Sequence, residues 1–436
     1  MGGGSRALSA RVPQRRAARA PGMGRRACHA LGIGSAVKSN GHAKAGDWRQ
    51  ALITSKNGPR AILANAITAL RHAPEWDQIF QFDMFRQQTM LRGKAPWSLV
   101  YEDRQWEDVD DIRVSNWLQH AGIVVGREIA AQSVEIVAKD RAFHPVTDYV
   151  KRCTWDADKH ALDEWTIKYL GTDDTPFIRA AASKWMISAV ARIMRPGCKA
   201  DCALILEGPQ GRGKSTALKA LFHPWFTDEI ADLGTKDAAM QLPGAWCLEI
   251  AELDAMHRSD VAKIKAFMSR TADRFRPAYG ARVIEQPRQN VFAGTVNHNE
   301  YLRDETGGRR FLPIACGTID IDGLIAARDQ LWAEARDRYF ADETWWIDTA
   351  DIAAAASIEQ EARRILDPWQ KEVARLVAMR DSVTASEVLD DMNIPIKDQQ
   401  QLHLNRVASI LKGLGWLRRS MRHQGKPQYR YVQPTT

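Results

Sequence analysis

The most constraining feature of the sequence is a glycine-rich loop between an apolar run and a helix-forming run. Residues 203–206, Ala-Leu-Ile-Leu, have the composition of a buried strand, and residues 215–221 are typical of a helix. Between them, residues 208–215 read GPQGRGKS, which fits the pattern G-x-x-x-x-G-K-[ST]. The three glycines of this loop let successive backbone N–H groups point at one phosphate. We therefore predict a phosphate-binding loop, or P-loop.

Each position of this loop, and the first turn of the helix after it, is a candidate for contact with the phosphates of ATP. The candidates are Gly208, Pro209, Gln210, Gly211, Arg212, Gly213, Lys214, Ser215 and Thr216. Lys214 is predicted to reach the β- and γ-phosphates, and the Ser215 hydroxyl to join the ligands of Mg²⁺. The positive end of the helix dipole adds to the attraction. ATP and Mg²⁺ are the expected cofactors.

A second apolar strand, within residues 244–252, ends in acidic residues that are candidate catalytic groups. A P-loop ATPase needs one carboxylate near the metal and one to orient the attacking water. Glu249 and Glu252 are the candidates for both roles, with Asp254 third. Because strand residues alternate between faces, the two glutamates point to opposite faces unless the strand ends between them. Glu252 is slightly favoured, since it lies nearer the carboxyl end of the strand, where sites form in α/β sheets.

A third apolar strand, residues 290–297, ends on Asn297. Its neutral amide can hydrogen-bond the γ-phosphate or the attacking water without repelling either, so Asn297 is predicted to sense the γ-phosphate. A Gly-Gly turn at residues 307–308 then presents Arg309 and Arg310. In an assembled ring, either arginine would be able to complete a neighbour's nucleotide site as an arginine finger.

A basic segment follows the acidic strand and favours contact with single-stranded nucleic acid. Arg274, Arg276 and Arg288 lie in it, interleaved with aromatic residues. Charges of this kind follow phosphates, while aromatic rings stack on bases. A solvated hairpin is the alternative interpretation.

The tail of the chain, residues 381–436, reads as two amphipathic helices followed by a basic hairpin. After Asp398 it contains no acidic residue, and its hairpin carries Arg418, Arg419 and Lys426. This order predicts a winged helix that binds duplex DNA through a helix and the hairpin. A winged helix that binds protein instead is the alternative.

Composition and charge define the remaining expectations. The chain has 436 residues and a net charge of +8, which favours an anionic partner. No run of about 18 apolar residues occurs, so no membrane span is expected. The six cysteines have no zinc-finger spacing and are interpreted as reduced thiols of a cytosolic protein. The fold class expected is an α/β P-loop NTPase core with a helical amino-terminal region and a carboxy-terminal winged helix.

The domain scheme that follows divides the chain into five parts. They are a disordered basic tail at 1–46, a helical domain at 47–196, the ATPase core at 197–345, a helical linker at 346–380 and the winged helix at 381–436. The basic segment at 1–46 contains no acidic residue and cannot form a core. A transit peptide, a tail that touches nucleic acid and read-through from a wrong start codon remain alternative interpretations of it.

The order of these motifs resembles the virulence-associated protein E family of phages and prophage islands, with a core similar to superfamily 3 helicases and AAA+ proteins. The segments that carry the resemblance are 144–149, 206–211, 275–280, 294–297 and 302–311. The resemblance implies a phage or mobile-element replication ATPase in a bacterial cytoplasm, a hexameric ring and a primase partner. The sequence Glu-Ile-Ala-Glu at 249–252 departs from the adjacent acid pair of many superfamily 3 proteins.

The function expected is therefore a DNA-dependent ATPase that acts as a helicase, with single-stranded DNA in the ring. Two alternatives stay open at this point. One is a nucleotide-switched DNA-binding regulator that does not unwind DNA, and the other is a factor that interferes with competing phages. DNA-stimulated hydrolysis with strand displacement would separate the helicase from the other two.

Overall fold

The computed structural model describes residues 47–157, 160–229, 235–251, 258–276, 282–298, 301, 308–364, 367–423 and 426–433. The predicted basic tail at 1–46 lies outside the described residues. In the ranges given, no helix is both long enough and apolar enough to cross a lipid bilayer.

The first part of the described chain combines helices with a small antiparallel sheet. Its elements are β1 (Thr54–Ser55), β2 (Gly58–Pro59), α1 (Leu63–His72), β3 (Phe80–Asp83), β4 (Gln88–Gly93), β5 (Glu102–Gln105), α2 (Asp108–His120) and α3 (Arg127–Asp140). Strands β3, β4 and β5 pair antiparallel in that order. The sheet corrects the expectation of a purely helical region. Residues 80–83, Phe-Gln-Phe-Asp, alternate apolar and polar side chains, which is the period of a strand.

Three helices then lead into the central sheet: α4 (Pro145–Arg152), α5 (Trp165–Leu170) and α6 (Pro176–Met194). Helix α6 lies at the end of the region 47–196 that was predicted to be helical. It begins at Thr175, whose hydroxyl accepts a hydrogen bond from the Ile178 N–H at 3.2 Å. Helix α6 is buried on almost every side, and the Trp185 indole N–H donates to the Phe292 carbonyl at 2.9 Å. This helix therefore packs directly on the sheet.

The central unit alternates strands and helices. Its elements are β6 (Ala203–Glu207), α7 (Lys214–Phe222), β7 (Phe226–Thr227), α8 (Lys236–Gln241), β8 (Cys247–Ile250), α9 (Arg258–Met268), β9 (Ala272–Phe275), β10 (Ile284–Pro287), β11 (Val291–Val296), β12 (Phe311–Ala315) and α10 (Ile321–Phe340). Among the described strands, β12-β6-β11-β8-β7 form a parallel sheet in that order. Strands β9 and β10 form a separate antiparallel hairpin.

Both faces of the parallel sheet are covered, as the continuous apolar strands require. Alternate residues of β6 divide between two cores. Leu204 and Leu206 pack with helices α6, α7 and α10 on one face, and Ala203 and Ile205 pack with α8 and α9 on the other. A ring cluster fills the first face, where Trp246 and Trp332 lie 4.2 Å apart between centroids. The result is a three-layer α/β unit.

The last part of the described chain contains a linker helix and a small mixed unit. The elements are α11 (Ala350–Ala362), α12 (Gln370–Val377), β13 (Ser382–Val383), α13 (Ala385–Asp391), α14 (Gln401–Gly413), β14 (Leu417–His423) and β15 (Lys426–Val432). Strands β14 and β15 pair as the predicted hairpin, and β13 adds to the outer side of β15. Helix α12 lies within the predicted helical linker at 346–380, whereas strand β13 was not predicted. Their apolar residues Val373, Val377 and Val383 complete this unit's core.

Candidate functional site

Three adjacent strand ends define the candidate site. Strands β6 and β8 flank β11, and all three run in the same direction. Val296 of β11 pairs with Glu207 of β6, and Gly294 pairs with Ile250 of β8. The segments that follow β6, β8 and β11 therefore leave the sheet at one edge, the carboxyl edge. This edge brings the predicted phosphate loop, acid and amide together.

The glycine-rich loop turns between β6 and α7, as its sequence predicts. Gly211 and Gly213 have φ values of +81° and +86°, in the left-handed region that side-chain-bearing residues avoid. Gly213 is the residue that precedes α7, so the first N–H groups of the helix face the loop. The loop is tied to the sheet where the Gly208 N–H donates to the Val296 carbonyl at 3.3 Å.

Lys214 lies buried at the first turn of α7, with its ammonium group held inside the loop. Its Nζ donates to the carbonyl oxygens of Gly208 at 2.6 Å and Pro209 at 3.0 Å. The same Nζ donates to Oδ1 of Asn297 at 3.3 Å. A cation from the first turn of α7 and an amide directly after β11 thus meet at the loop, where a terminal phosphate would contact both.

Ser215 and Glu249 form the second contact across the strand ends. The Ser215 hydroxyl donates to Oε1 of Glu249 at 2.7 Å, and Glu249 is only 1% exposed. The Thr295 hydroxyl donates to the same oxygen at 2.6 Å. Thr295 was not among the residues predicted for the site. The available signal was its position two residues before Asn297, on the same face of β11.

The environment of Glu249 fits a divalent cation held by oxygen atoms. Its Oε2 is buried and has no hydrogen-bond partner among the described residues. A buried carboxylate oxygen without a partner is costly, and Mg²⁺ prefers carboxylate and hydroxyl oxygens. Glu249 and Ser215 would hold the ion. Glu252, the alternative acid that the sequence slightly favoured, lies outside the described residues, and β8 ends at Ile250 before it.

Arg309 and Arg310 lie at the opposite edge of the sheet from the loop. Phe311, which follows them, pairs with Ala203 at the start of β6, whereas the loop follows Glu207 at its end. Four residues of strand, at roughly 3.3 Å each, separate the two edges by about 13 Å. The Arg310 Nε lies 3.3 Å from an Asp201 carboxylate oxygen, and Arg309 is exposed.

The basic segment at 274–288 contains one residue whose role needs correction. Arg288 was predicted to contact nucleic acid, but its side chain is 1% exposed. Its Nε and Nη2 donate to the two carboxylate oxygens of Asp273 at 2.5 and 2.8 Å. A buried bidentate pair of this kind holds the base of the β9–β10 hairpin. Arg274 has a side chain that is 74% exposed, and Arg276 is also exposed, so both reach the surface.

The basic hairpin of the last unit presents its arginines to solvent. Arg418 and Arg419 on β14 are exposed, and the Arg418 guanidinium lies 4.4 Å from the centre of the Tyr429 ring. Lys426 is the first residue of β15. Arg430, by contrast, is buried and donates to both carboxylate oxygens of Glu387 at 2.7 Å. Arg430 therefore has a structural role, because it pairs with Glu387 inside the unit. Arg418 and Arg419 remain at the surface.

The cysteines do not form a site in the described part of the chain. Cys153, Cys198, Cys202, Cys247 and Cys316 are free thiols. Burial raises the pKa of Cys202 and of Cys316 to about 12, so both stay protonated at neutral pH. Within the described ranges, no group of three histidine, cysteine or acidic side chains is placed to bind a metal.

The protein is thus an α/β protein in which polar side chains meet at the carboxyl ends of neighbouring parallel strands. These side chains are Lys214, Ser215, Glu249 and Asn297. Residues 150–364 match the Virulence-associated protein E-like domain. This part of the chain belongs to that family.

Comparison with solved structures gives distant likenesses. The apo structure of the NrS-1 C terminal region (305-718) is 12% identical, with a TM-score of 0.41, over 81% of this chain and 95% of that one. An A form apo structure of the same region is 11% identical, with the same TM-score and coverage. No curated protein matched the sequence.

Proposed function

We propose that the chain is an ATP-hydrolysing protein that acts on DNA in the replication of a phage or mobile element, as a helicase. The observation that supports this most is the cluster of Lys214, Ser215, Glu249 and Asn297 at one edge of the sheet. Membership in the virulence-associated protein E-like family adds the mobile-element setting that the sequence resemblance implies.

Each group at the edge has a role in this proposal. The loop N–H groups and Lys214 bind the phosphates of ATP, and Asn297 orients the γ-phosphate or the attacking water. Ser215 and Glu249 hold Mg²⁺, which would neutralise charge that builds on the phosphates. Glu249, and Glu252 as the second candidate, would orient water for attack. Thr295 fixes the Glu249 carboxylate by its hydrogen bond to Oε1.

DNA would contact two exposed basic surfaces. Arg274 and Arg276 on the β9–β10 hairpin would track a single strand passing through a ring of subunits. Helix α14 and the β14–β15 hairpin, in a unit whose order of elements supports a winged helix, would bind duplex DNA through Arg418, Arg419 and Lys426. A primase would supply the primers as a separate chain.

An arginine finger that acts on a neighbouring subunit follows from the position of Arg309 and Arg310. Because they lie at the far edge of their own sheet, either one would serve only the nucleotide of a neighbour, as in a hexamer.

Arg309→Ala is expected to lower ATP turnover about 10³-fold without weakening ATP binding. Arg310→Ala removes the nearer of two cationic partners of Asp201 and is expected to lower thermal stability more than Arg309→Ala does.

Mixed assemblies test the finger directly. Lys214→Ala subunits keep their arginine, and Arg309→Ala subunits keep their loop, so mixing the two inactive variants should restore part of the turnover. Mixtures that stay as inactive as either variant alone would contradict an arginine acting between subunits.

The winged-helix arginines yield a prediction about salt dependence. The double variant Arg418→Ala, Arg419→Ala should bind duplex DNA more weakly, and the slope of log K against log[salt] should fall in magnitude by about 2. Fluorescence anisotropy at several salt concentrations measures this slope. The control is Arg375→Ala on α12, an exposed arginine of the same unit paired with Glu372. An unchanged slope in the double variant would exclude these arginines as phosphate contacts.

The proposed function as a whole is tested by phosphate release with and without single-stranded DNA, together with strand displacement from a forked duplex. Turnover stimulated several-fold by single strands, with displacement, is the expected result. DNA binding without stimulation or displacement would favour a nucleotide-switched regulator instead.

A further inference from the structure

Glu207 is a buried carboxylate directly before the phosphate loop, and no predicted role accounts for it. It is the last residue of β6 and is 1% exposed. Arg363 donates to both of its oxygens, from Nε to Oε1 at 2.6 Å and from Nη2 to Oε2 at 2.9 Å. The Tyr301 hydroxyl donates to Oε1 at 2.9 Å. Both carboxylate oxygens are thus satisfied by two partners that are distant in sequence.

The two partners of Glu207 are hydrogen-bonded to each other, and one of them lies close to Asn297 along the chain. Tyr301 follows Asn297 by four residues along the chain. Arg363 directly follows helix α11, and its carbonyl accepts a hydrogen bond from the Tyr301 N–H at 3.1 Å. Burial, together with the Glu207 carboxylate, raises the pKa of Tyr301 well above its ordinary value. The hydroxyl therefore remains a donor at neutral pH.

Backbone hydrogen bonds also hold Glu207 and the residue after it in place. Its carbonyl accepts from the Cys316 N–H at 2.9 Å, just after β12. The next residue, Gly208, donates to Val296 at the end of β11. The start of the phosphate loop is thus held to the strand on each side by backbone contacts and to Tyr301 and Arg363 by a carboxylate.

We propose that Glu207, Tyr301 and Arg363 form a buried clamp that sets the position of the phosphate loop relative to Asn297. Arg363 and Tyr301 are positioning residues, because they act through Glu207. The clamp rests on the proposed nucleotide role of the loop. It also makes turnover depend on helix α11, which lies between the α/β unit and the last unit of the chain.

The clamp should act on turnover more than on ATP binding. Binding depends on Lys214 and on loop N–H groups, which the clamp does not supply. Alignment of the γ-phosphate with Asn297 depends on two strand ends staying in register, and small misplacements of reacting groups cost about 10²-fold in rate. Loss of a clamp contact therefore lowers kcat while KM for ATP changes little.

Tyr301→Phe is the variant that tests this, because it removes one hydroxyl and leaves Arg363 paired with Glu207. The expected result is a fall in kcat of at least about tenfold with KM for ATP within about threefold of wild type. The matched control is Glu359→Gln. Glu359 pairs with Arg363 from the solvent side, with a side chain that is 40% exposed, and its loss should leave kcat unchanged.

A second variant separates positioning from simple stabilisation. Arg363→Lys keeps the charge but not the bidentate geometry. It should show the same split between kcat and KM at a temperature well below its unfolding midpoint. Variants that unfold at lower temperature but keep wild-type kcat when folded would overturn the clamp and leave the proposed function standing. A wild-type chain with no ATP turnover would overturn both.

Discussion

Lys214→Ala is expected to reduce ATP hydrolysis to background, a loss of at least about 10³-fold. The ammonium group lies among Gly208, Pro209 and Asn297 at hydrogen-bond distance, so the substitution removes a positive charge from the position proposed for the terminal phosphates. The measurement is the steady-state rate of phosphate release with Mg²⁺ present. ATP affinity, measured by equilibrium binding, should fall as well, since the same charge acts in the ground state.

Lys219→Ala is the matched control for this prediction. Lys219 lies on the same helix α7 but is exposed, so its removal should leave both turnover and affinity unchanged. The Lys214→Ala variant should keep its far-ultraviolet circular dichroism and a cooperative melt, because the lysine contacts loop carbonyls and fills no core position. Turnover at the wild-type rate in this variant would refute the assignment of the loop.

Glu249→Gln should bind ATP while hydrolysing it at least about 10²-fold more slowly. The amide keeps the shape of the side chain and an oxygen that can accept from Ser215 and Thr295. It removes the negative charge that would hold Mg²⁺ and orient water. Single-turnover hydrolysis and binding of a fluorescent ATP analogue separate the two steps.

Glu252→Gln is the comparison that distinguishes the two acids. If Glu249 is the residue at the metal, Glu249→Gln should also raise the Mg²⁺ concentration needed for half-maximal rate, whereas Glu252→Gln should not. A Glu249→Gln variant with normal turnover, beside an inactive Glu252→Gln variant, would transfer the catalytic role to Glu252.

The strand ends of the candidate site were foreseeable because each depends on local sequence. An apolar run, a glycine-rich turn and a helix in that order constrain the chain at residues 203–221, and the structure places β6 and α7 there. Glu249 and Asn297 were found because each lies at or near the end of an apolar run. Their approach to Lys214 and Ser215 required only that the strands be parallel neighbours.

What the sequence did not reveal depends on contacts between distant segments. From the sequence alone, Arg288 cannot be distinguished from the other basic residues of its segment. Only the pairing of β9 with β10 places Asp273 beside it. Glu207 and Arg363 are 156 residues apart, so no local pattern connects them. The strand was expected to extend to residue 252, whereas β8 ends at Ile250. The choice between Glu249 and Glu252 stays a prediction, because Glu252 lies outside the described residues.

The most direct measurement is an experimental structure of the full chain with Mg²⁺ and a non-hydrolysable ATP analogue. We expect the γ-phosphate within hydrogen-bond distance of Lys214 Nζ and the Asn297 amide, and the metal on the side of Ser215 and Glu249. A nucleotide bound away from the carboxyl edge of the sheet, or bound there with Glu249 and Asn297 both out of reach, would contradict it.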